Sequence, residues 1–219
     1  MVTLTASDGH AFDAYERRPE DASAAVVLIQ EIFGVNEHIR SVVDRYAELG
    51  FHAIAPALFD RVERGVELDY DEVGVARARE LRGGLEWEAA MLDVAATVDH
   101  VASTGPTAVV GYCFGGSISW LAAHELPIAA AVGYYGGQVH MFRDRSPAVP
   151  IMLHFGAEDG GIPLDDVQVV SDQYPDVPVH VYDGAGHGFN CDLRGSFHPE
   201  SAALAHTRTI EFLDAHGVR

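Results

Sequence analysis

Apolar residues along the chain form short continuous runs, separated by longer segments in which apolar and polar residues alternate. Continuous runs of this length are typical of strands that are buried on both faces. Such strands are predicted at Ala25–Gln30, Phe51–Ala55, Thr107–Gly111, Ile128–Gly133, Ile151–Phe155 and Pro178–Tyr182. Ahead of them, Val2–Ala6 and His10–Glu16 predict a hairpin around the turn Ser7-Asp8-Gly9.

The segments between these strands predict helices. Asn36 is placed to cap a helix that ends at Leu49, and Gly50 follows as the residue that terminates it. Further helices are predicted at Glu86–Ser103, Gly115–His124, Leu164–Gln173 and Ser201–His216, with one short helix inside the polar stretch Asp60–Gly84. Strands that alternate with helices predict the α/β class, in which a mostly parallel central sheet carries helices on both faces.

The length of 219 residues fits a single domain that spans residues 1–219 and buries a substantial core. The hydrophobic content of 48% is ordinary, and no apolar run approaches the roughly 20 residues that span a bilayer. The first residues show no basic region followed by an apolar stretch, and two cysteines are too few for a disulfide framework. A reduced, cytoplasmic location is therefore expected.

The segment Thr107–Trp120 carries the strongest chemical signal in the chain. Its apolar run ends in Gly111-Tyr112-Cys113-Phe114-Gly115, the pattern of a nucleophile on a tight turn between a strand and a helix. Glycines flank such a turn because a Cβ would clash there. The helix N-terminus would favour a thiolate and offer free N–H groups to an oxyanion. The alternative is a glycine-rich turn with a buried, inert cysteine.

Two later residues favour the catalytic interpretation. Asp159 comes soon after the apolar run Ile151–Phe155, and His187 comes soon after the run Val179–Tyr182. The chain order nucleophile, acid, base is that of α/β-hydrolases and differs from the orders in chymotrypsin and subtilisin. Each of the three residues follows a predicted strand, so the fold could bring them together.

These motifs together resemble the dienelactone hydrolase (carboxymethylenebutenolidase) family. The resemblance extends over essentially the whole chain and is carried by four segments, Gln30–Gly34, Gly111–Gly116, Gly156–Asp159 and Gly186–Phe189. It implies an α/β-hydrolase fold without a large lid domain. It also implies that Cys113 is the nucleophile, that His187 is the base and that Asp159 orients the base.

The resemblance further implies a role for Glu31, whose carboxylate would contact the resting thiol. A carboxylate beside Cys113 would oppose thiolate formation by like-charge repulsion until substrate displaces it. The alternative for Glu31 is a solvated acid at the end of a strand. By the same resemblance, the oxyanion hole would use the backbone N–H groups of Ile32 and Phe114.

The chain departs from the family pattern in the residues that bind the substrate. The best-known members hold the carboxylate of a dienelactone with two arginines. One precedes the helix before the nucleophile strand, and the other follows the catalytic histidine by a few residues. Cys191 stands about where the second arginine is expected, and Arg194 could replace it only if the loop bends back. Candidates for the first arginine are Arg77, Arg79 and Arg82.

Because this pair of arginines is not evident, bidentate binding of a substrate carboxylate is not expected. The predicted substrate is therefore a less acidic ester or lactone. Side chains predicted to contact the substrate are those of Tyr112, Arg79, Phe189 and Cys191. Two alternatives stand for Cys191. It is a buried packing residue, as most free cysteines are, or it is a thiol close enough to Cys113 for oxidative pairing.

The charge of the chain restricts its partners. There are 33 acidic residues against 14 basic ones, all of them arginine, and the formal net charge is −19. Such a surface repels nucleic acid and anionic membranes, so neither is expected as a partner. None of the 12 histidines forms an H-x-x-H or H-E-x-x-H pair, and neither a metal nor another cofactor is predicted.

The sequence therefore predicts a hydrolase that cleaves an ester or lactone through a Cys-His-Asp triad and a thioester acyl-enzyme, as a monomer or a small homo-oligomer. A broad carboxylesterase or thioesterase on the same fold is one alternative. A non-catalytic relative used for binding is another, although a degenerate site would be expected to have lost at least one of Cys113, Asp159 and His187.

Overall fold

A computed structural model describes all 219 residues and contains one sheet of eight strands. The strands are β1 (Val2–Thr5), β2 (Ala11–Arg17), β3 (Ala25–Ile29), β4 (His52–Pro56), β5 (Thr107–Tyr112), β6 (Ala130–Tyr134), β7 (Ile151–Gly156) and β8 (Val179–Tyr182). Their order across the sheet is β1-β2-β4-β3-β5-β6-β7-β8. Strands β1 and β2 are antiparallel to their neighbours, and β3 to β8 are parallel, which confirms the predicted sheet.

Six α-helices connect or follow the strands. They are α1 (Glu37–Glu48), α2 (Glu72–Gly83), α3 (Trp87–Val101), α4 (Phe114–Glu125), α5 (Leu164–Gln173) and α6 (Pro199–Ala215). From β3 the chain moves one way to β4, and it then returns across β3 to β5. Because parallel crossovers are right-handed, this reversal places helices on both faces of the sheet. None of the helices is both long and apolar enough to cross a membrane.

The helix boundaries follow from local capping chemistry. The predicted cap at Asn36 is confirmed, because its side-chain oxygen accepts a hydrogen bond of 3.3 Å from the N–H of Ile39. The polar stretch contains a longer helix than predicted, since α2 has 12 residues. Asp71 caps this helix by accepting a hydrogen bond of 2.7 Å from the N–H of Gly74.

The buried centre of the sheet determines where the polar residues meet. Strands β3 to β7 are buried along their whole length, so their side chains are committed to the core on both faces. The carboxyl ends of β3, β5, β7 and β8 lie at the same edge of the sheet. The chain immediately after them carries Glu31, Cys113, Asp159 and His187, which therefore converge on this edge.

Candidate active site

Cys113 occupies the turn between the last residue of β5 and the first residue of α4. Its φ of 55° and ψ of −112° place a residue with a Cβ in a region that favours glycine. The flanking glycines allow the tight approach, because a Cβ on Gly111 would overlap the carbonyl oxygen of Gly115, and one on Gly115 would overlap that of Ile29. The turn aims the thiol away from the core, above the N-terminus of α4.

The thiol, an imidazole and a carboxylate form a continuous chain of contacts. The Nε2 atom of His187 lies 3.1 Å from the Sγ atom of Cys113, and its Nδ1 atom lies 2.7 Å from Oδ2 of Asp159. The other carboxylate oxygen of Asp159 accepts a hydrogen bond of 2.9 Å from the N–H of Gly161. Both oxygens are therefore engaged, which fixes the carboxylate and orients the imidazole toward the thiol.

Charge around His187 favours its protonated form. Burial lowers the pKa of His187, but the charge of Cys113 and the hydrogen bond with Asp159 outweigh burial and raise the pKa to about 10. An imidazole in this environment is a strong acceptor for the proton of the Cys113 thiol. The arrangement can therefore generate a thiolate beside an imidazolium ion.

Two further residues hold the histidine loop in place. The ring of Tyr135 meets the imidazole of His187 edge to face, with ring centres 5.2 Å apart. Tyr135 has a φ of 39°, the second positive value among non-glycine residues of this chain. The Ser196 hydroxyl donates a hydrogen bond of 2.7 Å to the carbonyl oxygen of His187. These two contacts help to fix the position of His187 beside the thiol.

Two backbone N–H groups are available beside the thiol. Ile32 lies outside the strands and helices, and its N–H makes no backbone hydrogen bond. Phe114 is the first residue of α4, where an N–H has no partner within the helix. The N–H of Gly115 donates a hydrogen bond of 3.1 Å to the carbonyl oxygen of Gln30, which ties the two segments together. The geometry suits the predicted oxyanion hole.

The carboxylate of Glu31 has partners other than the expected one. Glu31 is fully buried, and it accepts hydrogen bonds from the Tyr70 hydroxyl at 3.0 Å and from Nη1 of Arg194 at 3.2 Å. The Cys113 thiol instead lies against His187. Burial and the charge of Glu31 raise the pKa of Tyr70 far above its usual value, which keeps its hydroxyl a donor. The structure thus differs from the expectation that Glu31 contacts the resting thiol.

Arg194 reaches this carboxylate because the loop after the histidine does bend back. Its guanidinium lies 5.7 Å from the ring centre of Phe33 and 5.5 Å from that of Tyr70. The turn is made at Gly188, which has a φ of 76° and where a Cβ would collide with the guanidinium of Arg194. Arg194 therefore stands near the site, but its charge is engaged by Glu31.

A cavity of about 510 Å³ opens beside the thiol. It is lined by Ile32, Arg79, Arg82, Gly83, Trp87, Cys113, Phe114, Gly137, Gln138, Gly161, Ile162 and His187. The lining contains two arginines and no acidic residue, in a molecule whose formal net charge is −19. Positive charge is thus concentrated where a substrate would bind.

Arg82 is the better fixed of these two arginines. Its guanidinium lies over the rings of Trp87 and Phe114, at 4.0 Å and 4.4 Å from their centres, and it donates a hydrogen bond of 2.6 Å to the carbonyl oxygen of Leu85. It has no carboxylate partner, and burial lowers its pKa. Arg77 by contrast pairs with Glu63 and Glu80 and lies outside the cavity lining.

Three side chains predicted to contact the substrate lie outside the cavity. Tyr112 and Phe189 are buried in the core, where Tyr112 packs on Tyr134 at 4.8 Å and Phe189 packs on Tyr182 at 5.2 Å between ring centres. Cys191 is also fully buried and is a free thiol. Burial and the charge of Glu31 raise the pKa of Cys191 to about 11, which keeps it a thiol. Its structure is that of a packing residue.

Sequence reasoning missed several residues of this site. Tyr70 holds Glu31, and Trp87, Gln138 and Ile162 line the cavity. Tyr70 lies just ahead of the cap of α2, and Trp87 is the first residue of α3. An aromatic residue at the boundary of a predicted helix is a weak signal, because such residues more often belong to the core.

The fold and the relatives of this chain define its class, a carboxylic ester hydrolase of the α/β-hydrolase superfamily. Within that class the chain belongs to the dienelactone hydrolase family, whose model matches residues 12–217. Carboxymethylenebutenolidase from Pseudomonas putida is 33% identical over 223 residues, covering 97% of this chain and 94% of that protein. The enzyme of the same name from a further Pseudomonas species is 34% identical over 97% of this chain and 93% of that protein.

Solved structures show the same fold. A crystal structure described as a "Putative Dienelactone Hydrolase" from Klebsiella pneumoniae superposes with a TM-score of 0.83 at 29% identity. It covers 97% of this chain and 98% of its own. The predicted family and fold are confirmed.

Proposed function

We propose that this protein opens a lactone or cleaves an ester through a thioester on Cys113, with His187 as the base and Asp159 orienting it. The observation that carries the proposal is the chain of contacts from Sγ to Nε2 at 3.1 Å and from Nδ1 to the carboxylate at 2.7 Å. The strained turn at Cys113 supports it, since strain of this kind clusters at reactive sites.

The steps follow from these contacts. His187 takes the thiol proton, and the sulfur attacks the carbonyl carbon of the substrate. The N–H groups of Ile32 and Phe114 bind the resulting oxyanion, and one such donor contributes about 3 kcal/mol in comparable sites. Collapse breaks the bond to the ester oxygen, which takes the proton back from His187 and leaves as an alcohol or remains tethered when a lactone opens. Water, deprotonated by His187, then attacks the thioester and releases the acid and the thiol.

The cavity supports a substrate that carries an anionic group. Arg79 and Arg82 are the two arginines of the lining, and neither forms an ion pair with a carboxylate. An arginine without an anionic partner in a strongly acidic protein is a site for a carboxylate from outside. The expectation of a less acidic substrate, drawn from the missing arginine at position 191, is revised accordingly. Trp87, Phe114 and Ile162 supply an apolar surface for the rest of the acyl group.

The experiment that tests the proposal exploits the two cysteines of the chain. Cys113→Ala is expected to lower the kcat for an aryl ester and for a lactone by at least about 1,000-fold. Cys191→Ala is the matched control and is expected to retain most of the activity. Acid quenching during turnover, followed by mass spectrometry of peptides, is expected to find the acyl group on Cys113.

Wild-type turnover by Cys113→Ala, in a variant whose thermal unfolding is unchanged, would remove Cys113 from the nucleophile role. An acyl group on another residue would do the same. Hydrolysis of simple esters with no turnover of lactones would favour a broad carboxylesterase, the alternative function of the same site.

A further inference from the structure

A second group of ionisable residues lies at the opposite end of the sheet from Cys113. It consists of Glu16 in β2, His52 as the first residue of β4, and His100 in the last turn of α3. One carboxylate oxygen, Oε1 of Glu16, lies 2.8 Å from Nε2 of His52 and 2.7 Å from Nε2 of His100. Three atoms that can each bind a metal ion therefore point at one another, all within 4.8 Å.

The histidines of this group are held with one side open to solvent. The side chain of His52 is 2% exposed, and its Nδ1 atom lies 2.7 Å from the Thr104 hydroxyl, which fixes the ring. The side chain of His100 is 35% exposed, so an ion and water can enter from that side. A buried imidazole oriented by a hydrogen bond at its other nitrogen is the usual arrangement of a metal-binding histidine.

We propose that Glu16, His52 and His100 together bind one zinc ion. Two imidazoles and one carboxylate are a ligand set that zinc uses, and a water molecule from the open side supplies the fourth ligand. Zinc–nitrogen and zinc–oxygen distances of about 2.0–2.2 Å place ligand atoms roughly 3.4 Å apart in a tetrahedral site. Each Nε2 atom therefore needs to move away from Oε1 of Glu16 by less than about 1 Å.

The proton balance of this step is simple. In the absence of metal, both Nε2 atoms donate a proton to the carboxylate of Glu16. When zinc binds, the single N–H proton of each neutral ring moves from Nε2 to Nδ1 by exchange with solvent, and the freed Nε2 lone pair binds the ion. For His52 that proton points at the Thr104 hydroxyl, which can accept it. The side chain of His100 is partly exposed, so water can accept its proton. The carboxylate of Glu16 thereby loses its two hydrogen bonds from the histidines and gains one bond to the zinc ion.

The position of the site separates it from the hydrolase chemistry. A central strand of five residues spans about 17 Å, so the ion would lie roughly that far from the thiol. Its ligands come from the antiparallel β2, the parallel β4 and the packed helix α3. An ion shared by these three elements would link β2 and β4 of the sheet to α3 and stabilise the folded state.

The test uses the full-length protein after treatment with EDTA, titrated with zinc chloride by calorimetry and by thermal unfolding. We expect one zinc ion per chain at this site and a rise in Tm of about 5–10 °C at a zinc concentration 100 times the Kd. His100→Gln is expected to weaken zinc binding by at least about tenfold. His124→Gln is the matched control, because His124 is also an exposed histidine in the last turn of a helix, and it is expected to leave the affinity unchanged.

A spectroscopic experiment excludes the thiols as the source of the signal. Cobalt(II) bound at the proposed site would show visible absorption without the near-ultraviolet charge-transfer band that a thiolate ligand produces. Zinc binding that survives both His100→Gln and Glu16→Gln would overturn the proposal, as would binding that disappears in Cys113→Ala. Failure to bind zinc at millimolar concentration would overturn it as well.

Discussion

The two ends of the sheet each place histidine against a carboxylate, at almost the same distance. At the carboxyl end His187 lies 2.7 Å from Asp159, and at the amino end His52 and His100 lie 2.8 Å and 2.7 Å from Glu16. The third group differs. The free nitrogen of His187 faces a thiol, whereas at the amino end two imidazoles share one oxygen. A histidine–carboxylate pair alone therefore does not determine what a site can do. The third group beside the pair, a thiol at one end and a second imidazole at the other, makes the difference.

The backbone conformation also differs between the two ends of the sheet. Cys113 and Tyr135 at the carboxyl end have positive φ values, whereas Glu16, His52 and His100 lie in regular strands and a regular helix. Local strain needs surrounding structure to hold it, and it persists where a reaction requires a group in an unusual direction. A binding site built from regular elements needs no such strain. The contrast suits a reacting end and an end that binds or stabilises.

The largest effect is expected from breaking the pair at the carboxyl end. In Asp159→Asn the amide cannot stabilise an imidazolium ion and favours the wrong tautomer of His187, so kcat should fall by about 1,000- to 10,000-fold. The measurement is steady-state hydrolysis of the substrates used for Cys113→Ala, with thermal unfolding as the control for folding. A loss of less than tenfold would show that Asp159 does not orient the base.

An intermediate effect is expected from removing one of the two arginines that line the cavity beside the thiol, at the carboxyl end of the sheet. The wild-type enzyme is expected to prefer a lactone with a free carboxylate over its methyl ester, and Arg82→Gln should reduce that preference in kcat/KM by about ten- to hundredfold. High salt should weaken the preference of the wild-type enzyme. Arg77→Gln is the control, because Arg77 is paired with acids outside the cavity. Equal losses in the two variants would contradict a local role for Arg82.

The smallest effect is expected from removing the charge of Glu16 at the amino end of the sheet, measured on the metal-free protein. Burial raises the pKa of Glu16, but hydrogen bonds from His52 and His100 lower it more, and the net shift is downward from 4.5. The ionised carboxylate therefore stabilises the fold above pH 4.5, and this contribution is lost as the pH falls through the lower pKa of the folded state. Glu16→Gln should cost about 1 kcal/mol near neutral pH, after allowance for solvent screening.

Urea unfolding at several pH values measures this cost. The difference between the wild-type protein and Glu16→Gln should shrink as the pH falls below 4.5. A difference that stays constant across this range would mean that the charge of Glu16 is not what stabilises the amino end.

Local signals in the sequence were sufficient for the fold and for the turn at Cys113. The strand, the flanking glycines and the following helix are all contiguous, and the cap at Asn36 acts on a residue three positions away. The partners of Glu31 are different, because Tyr70 lies 39 residues away and Arg194 lies 163 residues away. Their approach depends on how two separate loops pack, which periodicity does not encode.

The same limit explains two of the predicted substrate contacts, and it also applies to the ligands of the proposed zinc site. A search for histidines at fixed spacing cannot find Glu16, His52 and His100, because packing of the sheet and α3 brings them together. Tyr112 and Phe189, predicted to contact the substrate, each stand within two residues of a catalytic candidate. Neighbouring residues in a strand or tight turn point in different directions, and both rings are buried in the core.

The hydrogen bond from the N–H of Gly115 to the carbonyl oxygen of Gln30 has a consequence for the timing of catalysis. It ties the start of α4 to the segment that carries Ile32, so the fold itself holds the two proposed oxyanion donors, Ile32 and Phe114, near each other. In the proposed mechanism, the donors that stabilise the transition state are thus put in place once, when the chain folds, and serve in every turnover.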